Sequence, residues 1–151
     1  MLYEIVLMTH NILRWVAFAL LLWAISRAWS GISSKREWSP TDKKAKLLST
    51  IAMDVQLILG LVLYLGLSPM VQTARASMET AMKDREQRFF LVEHLALMVL
   101  AVVVIHVGGV LIKRAQESSG KFKVMLAAYG FSLILILSGI PWWRPMFRLW
   151  F

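Results

Sequence analysis

The residues of this sequence that could do chemistry are polar and ionisable side chains inside long apolar runs. Such groups are costly at the depth of a lipid bilayer, so they usually face a bundle interior and mark a site or a tight pair. Seven side chains occupy positions of this kind: His10, Arg14, Asp54, Gln56, Glu93, His94 and His106. Two imidazoles at one level on facing helices can serve as axial ligands of a haem iron. His10 and His94 are candidate ligands if their helices place them at one level.

Four apolar runs carry these residues, and each is long enough to cross a bilayer, which takes about 20 helical residues. They cover roughly residues 3–29, 47–67, 89–112 and 124–140. Because 58% of the chain is hydrophobic, an unusually high share, no length remains for a separate soluble domain. The sequence predicts an all-α, integral membrane four-helix bundle that forms a single domain. The start of the chain, with no basic segment before a long apolar run, does not resemble a cleaved signal peptide.

The connections between the runs differ in basic charge. The first and third connections are rich in Lys and Arg, namely Lys35, Arg36, Lys43, Lys44 and Lys46, then Lys113, Arg114, Lys121 and Lys123. Cytoplasmic loops carry this excess, so both termini are predicted on the outer side of a bacterial inner membrane. The formal net charge of +8 is then explained by membrane orientation, and nucleic acid is not a predicted partner. The absence of cysteine excludes disulfides, thiolate metal sites and a cysteine nucleophile.

This topology predicts one depth for His10 and His94. The first and third spans run in the same direction, and each histidine lies five to seven residues inside the outer end, about 8–10 Å at 1.5 Å per residue. We therefore predict one haem b with His10 and His94 as axial ligands. The haem propionates would point outward, where Arg88 and Arg85 are available. No catalytic residue is predicted.

Arg14 follows His10 by four residues, so both lie on one face of the first helix. An unpaired guanidinium near the bilayer middle would be very costly, so Arg14 requires a partner. One interpretation is a buried pair with Asp54, assisted by Gln56. The other is that Arg14 contacts a haem propionate or an anionic, quinone-like ligand. The sequence leaves both open.

His106 lies twelve residues beyond His94, about 18 Å deeper and about 120° further around the helix. The two histidines therefore cannot share a metal ion, and a second bis-histidine haem is excluded within one chain. We predict a core histidine with satisfied hydrogen bonds, and a His106–Met53 iron site is the alternative. Glu93 could orient an imidazole, accept a proton or reach to the outer surface.

The connection between the second and third spans shows a four-residue pattern of Met70, Ala74, Met78 and Met82 with charged residues between them. This pattern predicts a short amphipathic helix in the outer membrane interface. A methionine-rich copper site is the alternative, although methionine stripes are common packing material.

The end of the chain, residues 141–151, is dense in aromatic residues and arginine. Aromatic rings of this kind favour the membrane–water interface, so the segment is predicted to anchor the chain at the outer surface. A docking surface for a neighbouring subunit is the alternative. Four glycines within the spans predict close helix contact: Gly60, Gly66, Gly108 and Gly109.

Four stretches carry a family resemblance: residues 10–15 (HNILRW), 56–64 (QLILGLVLY), 88–94 (RFFLVEH) and 139–142 (GIPW). They resemble small four-helix membrane proteins of Bacteroidota that are often labelled cytochrome b. The resemblance covers most of the chain and implies the four-helix architecture, while it says little about function.

A looser similarity is to membrane protoporphyrinogen oxidases and copper-resistance membrane domains, which place a histidine early in the first span and histidines on the third. His10, His94 and His106 match that outline. Those oxidases usually carry a lysine shortly after the first histidine of the third span. This chain has apolar residues there, which argues against porphyrinogen oxidation.

The leading functional hypothesis is a small haem-binding subunit that transfers electrons near the outer face of the membrane. Its partners would be the lipid bilayer, other membrane subunits of a redox complex, and quinol. The alternative is a haem-free accessory subunit of a respiratory or transport complex. An enzyme related to the porphyrinogen oxidases is a third hypothesis.

Overall fold

Four long helices dominate the computed structural model, which describes residues 1–144. Helix α1 spans Leu2–Ser33, and α2 spans Pro40–Val62 and continues through a π-helical turn, Leu63–Leu67. Helix α6 spans His94–Arg114 and follows a π-helical turn at Phe89–Glu93, and α7 spans Ser118–Gly139. Each of these four segments is long and apolar enough to cross a membrane. No strand occurs in the described part of the chain, so the predicted all-α class with four long apolar helices is confirmed.

Seen along the bundle axis, the four long helices lie at the corners of a square. Helix α1 packs chiefly against α2 and α7, and α6 packs against the same two helices. Short connections make successive long helices antiparallel, so α1 and α6 are parallel and lie diagonally across the bundle. Tyr129, Leu21, Ile105 and Met125 are fully buried between the helices. The bundle thus has one terminal end, near residues 1 and 144, and one loop end, near residues 34–39 and 115–117.

Helix α2 begins well before the predicted span because its start is capped. The Ser39 side chain and the N3 residue Asp42 form a reciprocal capping box, and Pro40 occupies the first helical position. Residues 39–42, Ser-Pro-Thr-Asp, are typical of such a helix start. Helices α1 and α6 likewise extend past the predicted apolar runs, because their polar ends remain helical.

Two of the four glycines at which close helix contact was predicted, Gly60 and Gly108, have a close neighbour. A Cβ atom on Gly108 would lie 2.4 Å from the Ala128 Cβ, so only glycine allows α6 and α7 to approach this closely. A Cβ atom on Gly60 would lie 3.3 Å from the His10 ring. Among residues 1–144, Gly66 has no neighbour within 4 Å of such an atom, so the predicted close contact is not found there in the described chain. At Gly109 the nearest group is the Lys46 Nζ, at 3.8 Å.

The connection between the second and third long helices contains three short helices: α3 at Pro69–Ala76, α4 at Met78–Lys83 and α5 at Arg85–Arg88. The methionine pattern predicted one helix, but the backbone is not helical at Ser77. Met78 and Met82 on α4 are exposed. A location of this segment at the membrane surface stays a prediction, as do the sides of the two termini.

Most of the predicted aromatic anchor, residues 145–151, lies outside the described residues. In its described part, the Trp143 ring packs edge-on against Phe89, with 4.7 Å between ring centroids. Trp142 donates a hydrogen bond from Nε1 to the Leu137 carbonyl. The chain therefore turns back onto the terminal end of the bundle after α7.

Candidate cofactor cavity

A cavity of about 670 Å³ lies among the four long helices in the terminal half of the bundle. Small-molecule and cofactor sites have volumes of about 300–1,000 Å³ and combine apolar walls with a few polar groups. Both candidate ligands, His10 and His94, line this cavity. Its other lining side chains include the polar residues Arg14, Gln56, Tyr64, Glu86 and Arg144, and the apolar residues Phe18, Leu57, Phe90, Met98 and Ile136.

The contacts along α2 place the two histidines near one level. The His10 ring lies against Gly60, and one turn nearer the terminal end Tyr64 donates from its hydroxyl to the Leu91 carbonyl at 3.0 Å. From Gly60 to Tyr64, α2 rises by four residues, roughly 6 Å, toward the terminal end. From Leu91 to His94, the chain descends by three residues, roughly 4.5 Å, away from that end. Because the two displacements nearly cancel, His94 lies close to the level of His10. The diagonal helices thus bring both imidazoles to the same part of the cavity.

The His94 imidazole has a defined orientation. Its Nδ1 lies 2.7 Å from the Gly139 carbonyl oxygen. A carbonyl oxygen can only accept, so Nδ1 carries the proton, and the Nε2 of the neutral ring keeps the lone pair that a metal requires. The Gly139 carbonyl is available because α7 ends there, and the last carbonyls of a helix have no partner within it. This hydrogen bond holds the ring in one orientation, as hydrogen bonds commonly do for histidines that ligate a metal.

The His10 imidazole occupies a tighter position beside α2. Its Nδ1 is buried and has no hydrogen-bond partner among residues 1–144. Gln56 donates from Nε2 to the His10 carbonyl at 2.8 Å, while its own buried Oε1 has no partner in the same part of the chain. Buried polar atoms usually have partners. Two unsatisfied atoms in the wall of a cavity therefore indicate a place for a ligand with polar or metal groups.

Arg14 lines the cavity one turn deeper than His10, with its guanidinium carbon 5.3 Å from the centre of the Trp15 ring. The interpretation that pairs Arg14 with Asp54 is wrong, because Asp54 Oδ1 lies 2.8 Å from His106 Nε2. Contact of Arg14 with a bound anionic group stays a prediction. Asp54 and Gln56 are two residues apart and therefore point about 200° apart around α2. Gln56 faces the cavity, so Asp54 faces away from it toward α6.

His106 is not the core histidine that the sequence predicted. Its side chain is 53% exposed on the outside of the bundle, where Asp54 satisfies its Nε2. Met53, the alternative partner, instead lines the cavity. The two histidines of α6 therefore belong to different environments, one inside the bundle and one on its surface.

Arg88, which was predicted to meet the propionates, does not line the cavity. It donates from Nε to Glu93 Oε1 at 2.9 Å, and both side chains are at least 40% exposed. Arg144 lines the cavity instead. Its Nε lies 2.6 Å from Glu86 Oε1, and its guanidinium carbon lies 4.4 Å from the centre of the Phe90 ring. Sequence reasoning missed Arg144 as a residue of the cavity. The feature that indicates it is Pro141, which follows the end of α7 and begins the turn that brings the chain back over the cavity.

The available ligand set fits a macrocycle better than a bare ion. Among residues 1–144, no group of three or more His, Cys, Asp or Glu side chains could hold a metal ion. A porphyrin brings four nitrogen ligands of its own, so two imidazoles complete the coordination of its iron. His10 and His94, which both line the cavity, are the candidates for two such ligands.

Comparison with known proteins identifies no relative. No protein-family model matches the chain, and neither a curated protein nor a solved structure has significant similarity to it. The resemblances given above therefore stay predictions, and function is inferred from the cavity.

Proposed function

We propose that this protein is a small haem-binding membrane subunit that holds one haem b between His10 and His94 and transfers electrons. The observation that carries the proposal is the placement of two imidazoles, at nearly one level, in a single cavity between diagonal helices. The Nε2 of His94 has the lone pair that iron requires, because the Gly139 carbonyl fixes the proton on Nδ1.

The surroundings of the two histidines also suit a porphyrin. The walls are formed by aromatic and aliphatic side chains, including Phe90, Met98 and Ile136, which would exclude water from a flat apolar ring. Arg144 lines the cavity near its terminal end and could pair with a carboxylate of the bound group in place of Glu86. Arg14 provides a second cation in the deeper part of the cavity. When bound, haem supplies one-electron transfer, and the protein supplies its ligands and dielectric surroundings.

The electron partner is inferred from the architecture. Four apolar helices occupy most of the described chain, so we infer no soluble catalytic unit within it. Quinol in the bilayer or a neighbouring membrane subunit would exchange electrons with the haem. The basic connections favour an orientation with both termini on the outer side of a bacterial inner membrane, which would place this site near the outer face.

A visible spectrum of the purified protein tests the proposal. Protein produced in haem-supplied cells should show sharp α and Soret bands in the reduced-minus-oxidised difference spectrum. His10→Ala and His94→Ala should each abolish most of this signal. His106→Ala is the matched control, because this histidine lies outside the cavity, and its spectrum should equal that of the wild type. A folded but colourless wild-type protein would contradict the proposal and favour a haem-free accessory subunit.

A further inference from the structure

Asp54 and His106 form a polar pair on the outside of the bundle, at the seam between α2 and α6. Asp54 Oδ1 lies 2.8 Å from His106 Nε2, and the two side chains are 38% and 53% exposed. Asp54 is eight residues from Lys46, and His106 is seven from Lys113, so the pair lies about 10–12 Å from the basic ends of both helices. Within a membrane this position is at the depth of the hydrocarbon chains, where polar groups seldom face lipid.

The pair has hydrogen-bonding capacity that it does not use. Neither side chain makes another hydrogen bond within residues 1–144. When the pair is an ion pair, His106 carries a proton on each ring nitrogen and Asp54 carries none. One of these protons lies between the two residues. The other is on His106 Nδ1, whether the shared proton is closer to Asp54 or to His106. The pair therefore presents one donor, Nδ1–H, and one acceptor, Asp54 Oδ2, to whatever covers it.

We propose that a second copy of this chain covers the seam, so that the protein forms a two-fold symmetric dimer through Asp54 and His106. A surface with one donor and one acceptor is self-complementary, because each Nδ1–H can meet the Asp54 Oδ2 of the other copy. A two-fold axis along the membrane normal also places both pairs at the same depth. An unrelated helix would need a matching donor and acceptor at that level.

The surface around the pair suits helix packing. Ile51 and Ile58 lie one turn to either side of Asp54, and Val103 and Val110 lie one turn to either side of His106. All four side chains are 47–60% exposed. Helix association in a membrane relies on such van der Waals contact together with a few interhelical hydrogen bonds.

Cysteine cross-linking tests the location of the interface, because the chain has no cysteine of its own. Ile58→Cys lies one turn from Asp54, and Ile134→Cys on α7 is its matched control, since both isoleucines are 60% exposed. In lipid vesicles, a short thiol-specific bifunctional reagent should yield dimer from Ile58→Cys at several times the yield from Ile134→Cys. Equal yields at both positions, or dimer only from Ile134→Cys, would overturn the proposal.

Subunit counting across a lipid dilution series tests the role of the pair. Asp54→Ala and His106→Ala should each raise the dimer dissociation constant about tenfold. In a symmetric dimer each substitution occurs twice and removes two interhelical hydrogen bonds, and the loss of each bond weakens association by a factor of about three. The exchange Asp54→His with His106→Asp keeps one donor and one acceptor and should restore the dimer. A wild-type chain that is monomeric at every dilution would refute the proposal. So would alanine variants that dimerise like the wild type. Neither readout depends on haem.

Discussion

Two polar regions inside the bundle, one toward each end, differ in how their polar atoms are satisfied. At the loop end, Asp42 is completely buried and accepts hydrogen bonds from Arg27, Arg36 and Ser39. At the terminal end, the cavity exposes the rings of His10 and His94 to an internal space and leaves two buried polar atoms without partners among residues 1–144. The first region is a closed structural network, and the second has the features of a binding site.

The closed network shows what full satisfaction requires. Both oxygens of Asp42 accept from Arg36, at 2.6 and 2.8 Å, and Arg27 Nε adds a bond at 2.8 Å. The hydrogen bond to Asp42 raises the pKa of the Arg36 guanidinium above its ordinary value. Arg36 also lies over the Phe122 ring, 4.7 Å from its centre, and that ring fills the space beside Gly31. No ligand is needed to complete this region, whereas His10 Nδ1 and Gln56 Oε1 in the cavity wall have no partner among residues 1–144.

Removal of the Asp42 carboxylate should have the largest effect on stability. Asp42→Ala leaves two partly buried guanidinium groups without their shared partner, and it removes the cap of α2. We expect the free energy of unfolding in detergent to fall by about 3–5 kcal/mol, as is typical when one partner of a buried ion pair is lost. Helical circular dichroism during thermal and denaturant unfolding measures the change.

The control for Asp42→Ala is Glu79→Ala. Glu79 pairs with Lys83 on the surface, where both side chains are at least 75% exposed. Exposed pairs of this spacing contribute about 0.5 kcal/mol or less. Equal stability of the two variants would show that the network at the loop end does not hold the fold.

A side chain at position 60 should damage the cavity while leaving the fold intact. The Gly60 Cβ would be 3.3 Å from the His10 ring, and the methyl groups of valine extend further. Gly60→Val should therefore displace His10 and remove most of the haem absorbance. Gly66→Val on the same segment is the control, because residues 1–144 leave open space around it, and it should keep the spectrum of the wild type. An unchanged spectrum in Gly60→Val would mean that His10 is not an iron ligand.

Arginine substitutions at the cavity mouth should have a smaller effect. Arg144→Gln removes one of the two arginine cations that line the cavity, and a charge-assisted hydrogen bond at a partly exposed site is worth about a factor of ten in affinity. We expect haem dissociation, followed by transfer to an acceptor protein, to be about tenfold faster. Arg88→Gln should have no effect, because Arg88 pairs with Glu93 outside the cavity. The reverse order of effects would support the sequence-based assignment of Arg88.

The sequence predicted the helices well because hydrophobic length is a local property. Runs of about 20 apolar residues are sufficient to predict four long helices, and residues 39–42 contain the signal for the start of α2. The similar level of His10 and His94 also follows from residue counts, since the rise per residue of a helix is nearly constant. These features require no knowledge of which helix contacts which.

The partners of the polar residues could not be predicted in the same way. Depth along a helix does not specify its rotation, and rotation decided that Gln56 faces the cavity while Asp54 faces His106. Arg27 and Arg36 come together at Asp42 only because the loop folds back onto α1. Arg144 reaches the cavity because the chain turns after α7. Each of these contacts depends on packing between distant segments, which residue counts do not contain.

Among the substitutions in the cavity wall, Gln56→Leu should change the free energy of unfolding least. It also tests whether the cavity wall is a binding site or a structural network. Gln56→Leu loses the hydrogen bond to the His10 carbonyl, but that oxygen belongs to the interior of α1 and keeps its partner within the helix. The same substitution removes a buried Oε1 that has no partner in the described chain. The two effects oppose each other, so the free energy of unfolding should change by less than about 1 kcal/mol in either direction. A loss comparable to that of Asp42→Ala would show that the cavity wall, like the loop end, is a structural network.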